Sequence, residues 1–195
     1  MKLRDCALSL INSTRSRVTT SKQNLLLAVT IMVWLIVILI GLLFASKITE
    51  KQFDPAGVLY QAANKPDFDG QIKRIFYDFL GASLNNVVVH ITSNTDCLCQ
   101  LTATRHIKSV KDTAAYSGKR NETVYIENIK GLSNILPSTP AIVIFDSLGK
   151  LSYLGPYSTG IGCLSGNGSV ESYLNSKNTA GAIIPLESTG CYCNV

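Results

Sequence analysis

The sequence has few of the side chains on which hydrolytic active sites are built. Its 195 residues include only two histidines, His90 and His106. It contains no HExxH motif, no carboxylate pair and no recognisable Ser/His/Asp set, which are the usual signatures of metal-dependent, acid–base and nucleophilic hydrolysis. The glycine-rich segment 155–168 does not join a strand to a helix with phosphate-loop spacing. Hydrolase and nucleotide-binding functions therefore have no support.

Charge is absent from residues 25–45, LLLAVTIMVWLIVILIGLLFA. As a helix, this segment would extend for about 31 Å, which is the thickness of the hydrocarbon core of a bilayer. A core helix of a soluble protein rarely stays uncharged on every face over such a length. The segment therefore predicts a transmembrane helix.

This helix is predicted to be an uncleaved anchor rather than a signal peptide. A signal peptide has an apolar region of about 7–15 residues and ends in a small-x-small site, whereas here Leu43 stands where a small residue is needed. Residues 1–24 carry five Lys and Arg and one Asp, and basic residues near a span favour the cytoplasmic side. We therefore expect a cytoplasmic basic arm (1–24), a transmembrane helix in the inner (plasma) membrane (25–45), and a periplasmic or equivalent outer location for residues 46–195.

The part of the chain that follows the predicted transmembrane helix has almost no net charge. Residues 46–195 carry 13 Lys and Arg against 12 Asp and Glu. A nucleic-acid-binding surface needs a concentration of basic residues. Nucleic acid is therefore excluded as a partner.

Five of the six cysteines follow the span: Cys97, Cys99, Cys163, Cys191 and Cys193. In an oxidising compartment such thiols form lasting disulfides. Five is an odd number, so at least one thiol has no partner within the chain. The Cys-x-Cys spacing leaves three hypotheses open: a redox pair, separate structural bridges, or half of a metal site.

The three hypotheses assign different roles to the cysteines. For redox chemistry, Cys97 would lie at a helix N-terminus, which lowers the pKa of a thiol. For structural bridging, joining the first Cys-x-Cys pair to the tail pair would close a loop of roughly 90 residues, worth about 4 kcal/mol. Cys163, in the glycine-rich segment, is the leading candidate for pairing with Cys191 or Cys193 in place of the first pair. For metal binding, Cys97, Cys99, Cys191 and Cys193 would offer four soft ligands to Cu(I) or Zn.

Hydrophobic spacing predicts an α/β domain after the span. Residues 46–85 are expected to form a tether and an amphipathic helix, whose apolar stripe is Phe68, Ile72, Ile75, Phe76 and Phe79. The β-branched run 86–92 predicts a strand, 100–119 a helix with His106 on its surface, and 121–129 a second strand. A hairpin follows at 141–154, then a final helix opened by Ser169, and the tail shows no clear element. A strand–helix–strand unit followed by a hairpin predicts a mixed sheet with helices on both faces.

This order of elements resembles the thioredoxin-like superfamily over roughly residues 86–176. The segment VVVHITSNTDCLCQ places its cysteines between the first strand and the next helix, as in that superfamily. The segment LPSTPAIVIFDSLGKLSYLG is similar to the superfamily's cis-proline strand and hairpin. The usual Cys-x-x-Cys motif has one spacer more than the motif here. The layout as a whole also resembles an uncharacterised bacterial family of single-span, membrane-anchored thioredoxin-like proteins.

We therefore expect residues 86–195 to form a thioredoxin-like domain with a cysteine-containing C-terminal tail, which is an addition to the superfamily's pattern. The resemblance implies thiol–disulfide exchange on exported or membrane proteins that bear thiols. Cys97 and Cys99 would be the catalytic pair, and His90 would shuttle protons, unless it is an ordinary strand histidine. A cis Thr139–Pro140 bond would face the cysteines and dock the partner chain as an added strand. No cofactor is implied. The alternatives are a non-enzymatic binding module with structural disulfides, and a Cu(I) or Zn carrier.

Overall fold

The computed structural model describes residues 22–44, 50–95, 97–160, 170–174 and 181–195. The chain divides into two units, residues 1–48 and 49–195. The predictions made for the basic arm before residue 22, for Cys163 and for the Ser169 helix cap lie outside the described residues.

The first unit contains one long helix, α1 (Lys22–Phe44). Its 23 residues include the whole charge-free run except Ala45. At 1.5 Å per residue the helix is about 34 Å long. The helix is therefore long and apolar enough to cross a membrane.

The second unit alternates helices and strands. Its strands are β1 (Lys51–Gln52), β2 (Val87–Thr92), β3 (Arg120–Tyr125), β4 (Ser138–Thr139), β5 (Ala141–Phe145), β6 (Leu151–Pro156), β7 (Thr189–Gly190) and β8 (Cys193–Asn194). Its α-helices are α2 (Val58–Ala63), α3 (Phe68–Leu80), α4 (Leu98–Tyr116) and α5 (Glu171–Leu174). Two 3₁₀ turns, Ile126–Asn128 and Leu132–Asn134, connect β3 to β4.

The central sheet has four strands in the order β3-β2-β5-β6. β2 and β3 are parallel and are connected through α4, while β5 is antiparallel to both β2 and β6. The β5–β6 turn is stabilised by Asp146, whose Oδ1 accepts the N–H groups of Leu148 and Lys150 at 2.8 Å. Gly149 follows with a φ of 68°, which disfavours other residues. The predicted mixed sheet and its hairpin are confirmed.

Helices cover both faces of this sheet, because alternate residues of each strand point to opposite faces. On one face Val87, Val89 and Ile91 join a core that includes α2 and α3. On the other face Val88, with Ile142 of β5, joins a core formed by α4 and α5. β2, β5 and β6 are thus buried on both sides, as their apolar runs require, whereas the polar edge strand β3 buries only Val124.

Helix α3 forms as its periodicity predicts and ends at Gly81, whose φ is 61°. Phe68, Ile72 and Phe76 are buried in the core. The predicted stripe was too wide, since Phe79 at its edge is 40% exposed.

Two segments expected to be irregular contain short elements. The described part of the tether includes β1 and α2. The tail contains β7, which is antiparallel to β1, and β8, which is antiparallel to β4. Two-residue strands have no periodicity to detect in the sequence, because they depend on a distant partner strand.

Candidate functional site

The first Cys-x-Cys pair lies where β2 leads into α4. Cys97 is the N-cap residue, with extended backbone angles (φ −123°, ψ 127°), and Cys99 lies in the first turn. The carbonyl of Cys97 accepts the N–H groups of Gln100 and Leu101. The N-terminus of this 19-residue helix, which carries unpaired N–H groups and the positive end of the helix dipole, therefore lies at these two cysteines.

Two side chains fix the loop in front of the cysteines. Gln100 accepts the N–H of Ser93 at 2.8 Å and donates to its carbonyl at 2.7 Å. The carboxylate of Glu127 accepts from the Ser93 hydroxyl at 2.5 Å and from the Asn94 N–H at 3.0 Å. The hydrogen bond from Ser93 is the main cause of the lowered pKa of Glu127. The sequence analysis did not identify Gln100 or Glu127, since neither belongs to a recognisable motif.

The strand predicted to dock a partner also lies at this site. The Thr139–Pro140 peptide bond is cis, and Ser138 and Thr139 of β4 are fully buried. Neither hydroxyl of these two residues has a hydrogen-bond partner among the described residues. The chain itself covers β4 with β8, which places Cys193 opposite Thr139 and Asn194 opposite Ser138.

Two disulfides connect the start of α4 to the tail. Cys97 is bonded to Cys193 (Cα–Cα 6.2 Å), and Cys99 is bonded to Cys191 (Cα–Cα 5.2 Å). Neither bridge joins Cys97 to Cys99. The prediction that Cys163 pairs with Cys191 or Cys193 is wrong, because both tail cysteines are already bonded to the first pair.

The sulfur atoms form a compact cluster. Those of Cys97, Cys99 and Cys193 all lie within 4.8 Å of one another. Cys99 and Cys193 are buried, whereas Cys97 and Cys191 are partly exposed. The four residues proposed as alternative metal ligands are therefore brought together. As disulfides they have no thiolate to offer a metal, so metal binding would require the reduced form.

A shallow depression of about 440 Å³ adjoins Cys97. Leu98 and Leu101 line it and are 65% and 72% exposed. Thr95, Gln100 and Thr104 complete it. Two exposed leucines therefore stand beside the partly exposed Cys97.

Tyr192, between the two tail cysteines, anchors the tail in the main core. Its side chain is 2% exposed and contacts Phe53 edge-on, with the ring centroids 5.1 Å apart. Its hydroxyl donates to the carbonyl of Ser158 at 2.8 Å. Gly190 allows this close packing, because a Cβ at that position would lie 2.8 Å from the Tyr192 hydroxyl oxygen.

His90 is buried in the centre of the sheet. Its Nε2 lies 2.8 Å from Asn121 Oδ1, and its Nδ1 lies 2.6 Å from the Tyr157 hydroxyl. Since the Asn121 amide donates to the carbonyl of Lys111, its oxygen faces His90, so Nε2 is the donor and Nδ1 the acceptor. Burial lowers the pKa of His90 to about 4. Both ring nitrogens are therefore hydrogen-bonded to groups other than the cysteines.

The prediction that His106 lies on the surface is wrong. It is 1% exposed, and its Nε2 lies 2.7 Å from Glu171 Oε1. His106 belongs to the buried stripe of α4, three residues after Ala103 and four before Val110. This helical spacing could have predicted that His106 is buried. The charged neighbours Arg105 and Lys108, which are exposed, suggested instead that His106 lies on the surface.

Comparison with known proteins places the chain in a family. The model of that family, described as a domain of unknown function (DUF6436), matches residues 67–195. The chain belongs to this family, and the match includes the sheet, the four bonded cysteines and the cis-proline. No curated protein and no solved structure matches the chain.

Proposed function

We propose that the second unit is a thioredoxin-like domain that carries out thiol–disulfide exchange with exported proteins. The order of β2, α4, β3, β5 and β6, together with the strand order of the sheet, supports this assignment. The observation that carries the functional proposal is the sulfur cluster at the start of α4, beside a cis-proline strand. Three sulfur atoms within 4.8 Å of one another are close enough for exchange after small side-chain movements.

Cys97 is the sulfur that a client would attack. It is partly exposed beside Leu98 and Leu101, whereas its partner Cys193 is only 4% exposed. A client thiolate forms a bond to Cys97 Sγ, the Cys97–Cys193 bond breaks, and Cys193 leaves as a thiolate. The helix N-terminus favours Cys97 as a leaving group in the next step. A second client thiol then attacks the mixed disulfide, so the client gains a disulfide and the Cys97–Cys193 bridge is reduced.

Cys99 provides an internal resolving group after a further client thiolate has attacked Cys191 Sγ, which breaks the Cys99–Cys191 bond and releases Cys99 as a thiolate. Its sulfur lies within 4.8 Å of those of both Cys97 and Cys193. A Cys99 thiolate that attacks a mixed disulfide at Cys97 would release the client as a thiol and form a Cys97–Cys99 bond. His90 takes no step in this scheme, because both of its ring nitrogens are hydrogen-bonded elsewhere.

We also propose that α1 anchors the domain in the inner membrane, with residues 1–24 in the cytoplasm. The proposal is supported by the length of α1 and by the basic residues in front of it. The cysteines of the second unit then face an oxidising compartment, where their bridges persist. The anchor would keep the domain close to proteins that have just been exported.

The second candidate is a binding module whose bridges are purely structural. It is favoured by the sequence separations of 96 and 92 between the bonded cysteines. It is also favoured by the burial of one cysteine in each bridge. Under this hypothesis the exposed leucines would bind a partner without thiol chemistry.

The reduction potentials of the two bridges distinguish these functions. The full chain in detergent would be equilibrated with glutathione buffers, and each bridge quantified by differential alkylation and peptide mass spectrometry. We expect Cys97–Cys193 to titrate between about −120 and −270 mV, the range of exchange proteins, with Cys99–Cys191 below it. If both bridges stay closed to below about −300 mV, the range of structural disulfides, exchange is contradicted and the binding module is favoured.

A further inference from the structure

The last described residues of the chain pair with β4. Cys193 and Asn194 form the antiparallel ladder with Thr139 and Ser138. The N–H of Val195 continues the ladder by donating to the carbonyl of Pro137 at 3.1 Å. The edge to which a partner strand would be added is therefore already paired.

The same segment is covalently bonded to Cys97. Residues 193–195 thus make two contacts at once: a backbone ladder on the strand before the cis-proline, and a disulfide to the sulfur at the start of α4. These are the two contacts that an extended client with a reactive cysteine would have to make. A client cannot form them while residues 193–195 are in place.

We propose that residues 193–195 act as an internal substitute for the client strand and keep the site closed while Cys97–Cys193 is intact. The client is an extended, thiol-bearing polypeptide, whose cysteine takes the place of Cys193 opposite Thr139. This inference rests on the thiol exchange proposed above. The site opens when a thiolate attacks Cys97: one S–S bond forms, one breaks, and Cys193 leaves as a thiolate with its segment.

The preceding residues hold the tail independently of this bridge. Tyr192 is buried against Phe53, and β7 is paired with β1. Within the part of the chain that the structure describes, the backbone hydrogen bonds that hold the tail beyond Tyr192 are a two-residue ladder and the bond from the Val195 N–H to Pro137. Asn194 and Val195 are exposed. Once the bridge opens, residues 193–195 can therefore leave β4 while the core stays folded.

The second bridge provides a matched control. Cys99–Cys191 lies on the other side of Tyr192 in the sequence, so its loss leaves residues 193–195 attached to β4 and to Cys97. The double variants C97S/C193S and C99S/C191S each remove one bridge and leave no unpaired thiol from it. The first variant releases Cys193, which follows Tyr192 in the sequence, and the second releases Cys191, which precedes it.

Hydrogen exchange of the full chain in detergent tests the inference without any thiol chemistry. In C97S/C193S we expect exchange at residues 138–139 and 193–195 to rise at least about tenfold, since a segment without tertiary support opens freely. In C99S/C191S these residues should exchange as in the wild type. Unchanged protection of β4 in a folded C97S/C193S variant would overturn the inference. If that variant does not fold, the wild type with only Cys97–Cys193 opened by glutathione provides the same comparison.

Peptide capture tests the proposed register. The C193S variant leaves Cys97 without its partner. The probe is the peptide Thr-Gly-Ser-Tyr-Cys-Asn-Val, which is the sequence of residues 189–195 with serine in place of Cys191. The cysteine of this peptide is activated as a thionitrobenzoate disulfide. We expect it to trap Cys97 at least about tenfold faster than the same peptide with its cysteine moved to the first position, because strand pairing positions the thiol. Equal rates would refute the register. If Cys97 reacts with no probe, including glutathione disulfide, exchange itself is contradicted, and the hydrogen-exchange comparison still decides whether residues 193–195 close β4.

Discussion

Removal of the disulfides is expected to destabilise the domain in a strongly non-additive way. Each bridge by itself closes a loop of more than 90 residues, since the sequence separations are 96 and 92. In the chain-entropy model such a loop contributes about 4.6 kcal/mol to the free energy of unfolding. When one bridge is present, however, the other closes only a ring of roughly six residues and adds about 2 kcal/mol.

The first bridge removed should therefore cost about 2 kcal/mol, whichever bridge it is, and removal of both should cost about 7 kcal/mol. The variants are C97S/C193S, C99S/C191S and the combination of all four substitutions. Because 7 kcal/mol lies within the total stability of a typical domain, about 5–15 kcal/mol, the fourfold variant is expected to unfold at low urea or without urea.

Urea unfolding of the full chain in detergent would measure these differences. The single tryptophan, Trp34, lies in α1, so its fluorescence does not report on the domain, and near-UV circular dichroism of the tyrosines is the suitable signal. The fully buried Tyr153, Tyr157 and Tyr192 contribute to it. If removal of both bridges costs no more than the sum of the two single removals, the two bridges do not share one loop and the reasoning is refuted.

Three further predictions concern groups around the site. The pKa of His90 is lowered to about 4 in the folded protein. The free energy of unfolding should therefore be unaffected by His90 above about pH 6.5 and should fall by about 3 kcal/mol as the pH is lowered toward 4. The H90Q variant should lack this part of the pH dependence in urea unfolding, and an unchanged profile would contradict the prediction. G190A should lower the unfolding free energy by about 1–3 kcal/mol, because its Cβ would crowd the Tyr192 hydroxyl; thermal unfolding measures this, and an unchanged midpoint would show that the ring moves aside at no cost. E127Q should speed hydrogen exchange at Asn94 while leaving β5 unchanged, because the Asn94 N–H donates to the Glu127 carboxylate, which is a stronger acceptor than an amide. Equal exchange in both proteins would show that Glu127 does not hold the loop.

The elements that could be predicted are those whose signal is contained in a few neighbouring residues. The charge-free run predicted α1, the spacing of Phe68, Ile72 and Phe76 predicted α3, and the β-branched run predicted β2. The hairpin of β5 and β6 was predicted from its apolar strands and the Asp146–Gly149 turn. Each of these patterns is a periodicity or a turn within a short segment, so it can be recognised without knowing the tertiary structure.

The wrong predictions concern the burial or the bonding of a residue whose neighbours in the folded protein are far away in the sequence. His106 lies between charged neighbours, yet Glu171 and Tyr157 surround it in the folded chain. Cys163 was as good a partner for the tail by spacing as Cys97 or Cys99. A sequence states how many thiols there are, but the distance between two of them is set by every element folded in between.

The sequence by itself therefore determined one apolar helix long enough for a membrane, a mixed α/β domain behind it and a small set of cysteines as its chemical groups. The tertiary structure alone decided that the two Cys-x-Cys pairs are bonded to each other, Cys97 to Cys193 and Cys99 to Cys191. It also decided that the tail forms a strand on β4 beside the cis-proline. The physical reason is the same for both: helices and turns depend on contacts a few residues apart, whereas these pairings join residues about 55 to 96 positions apart.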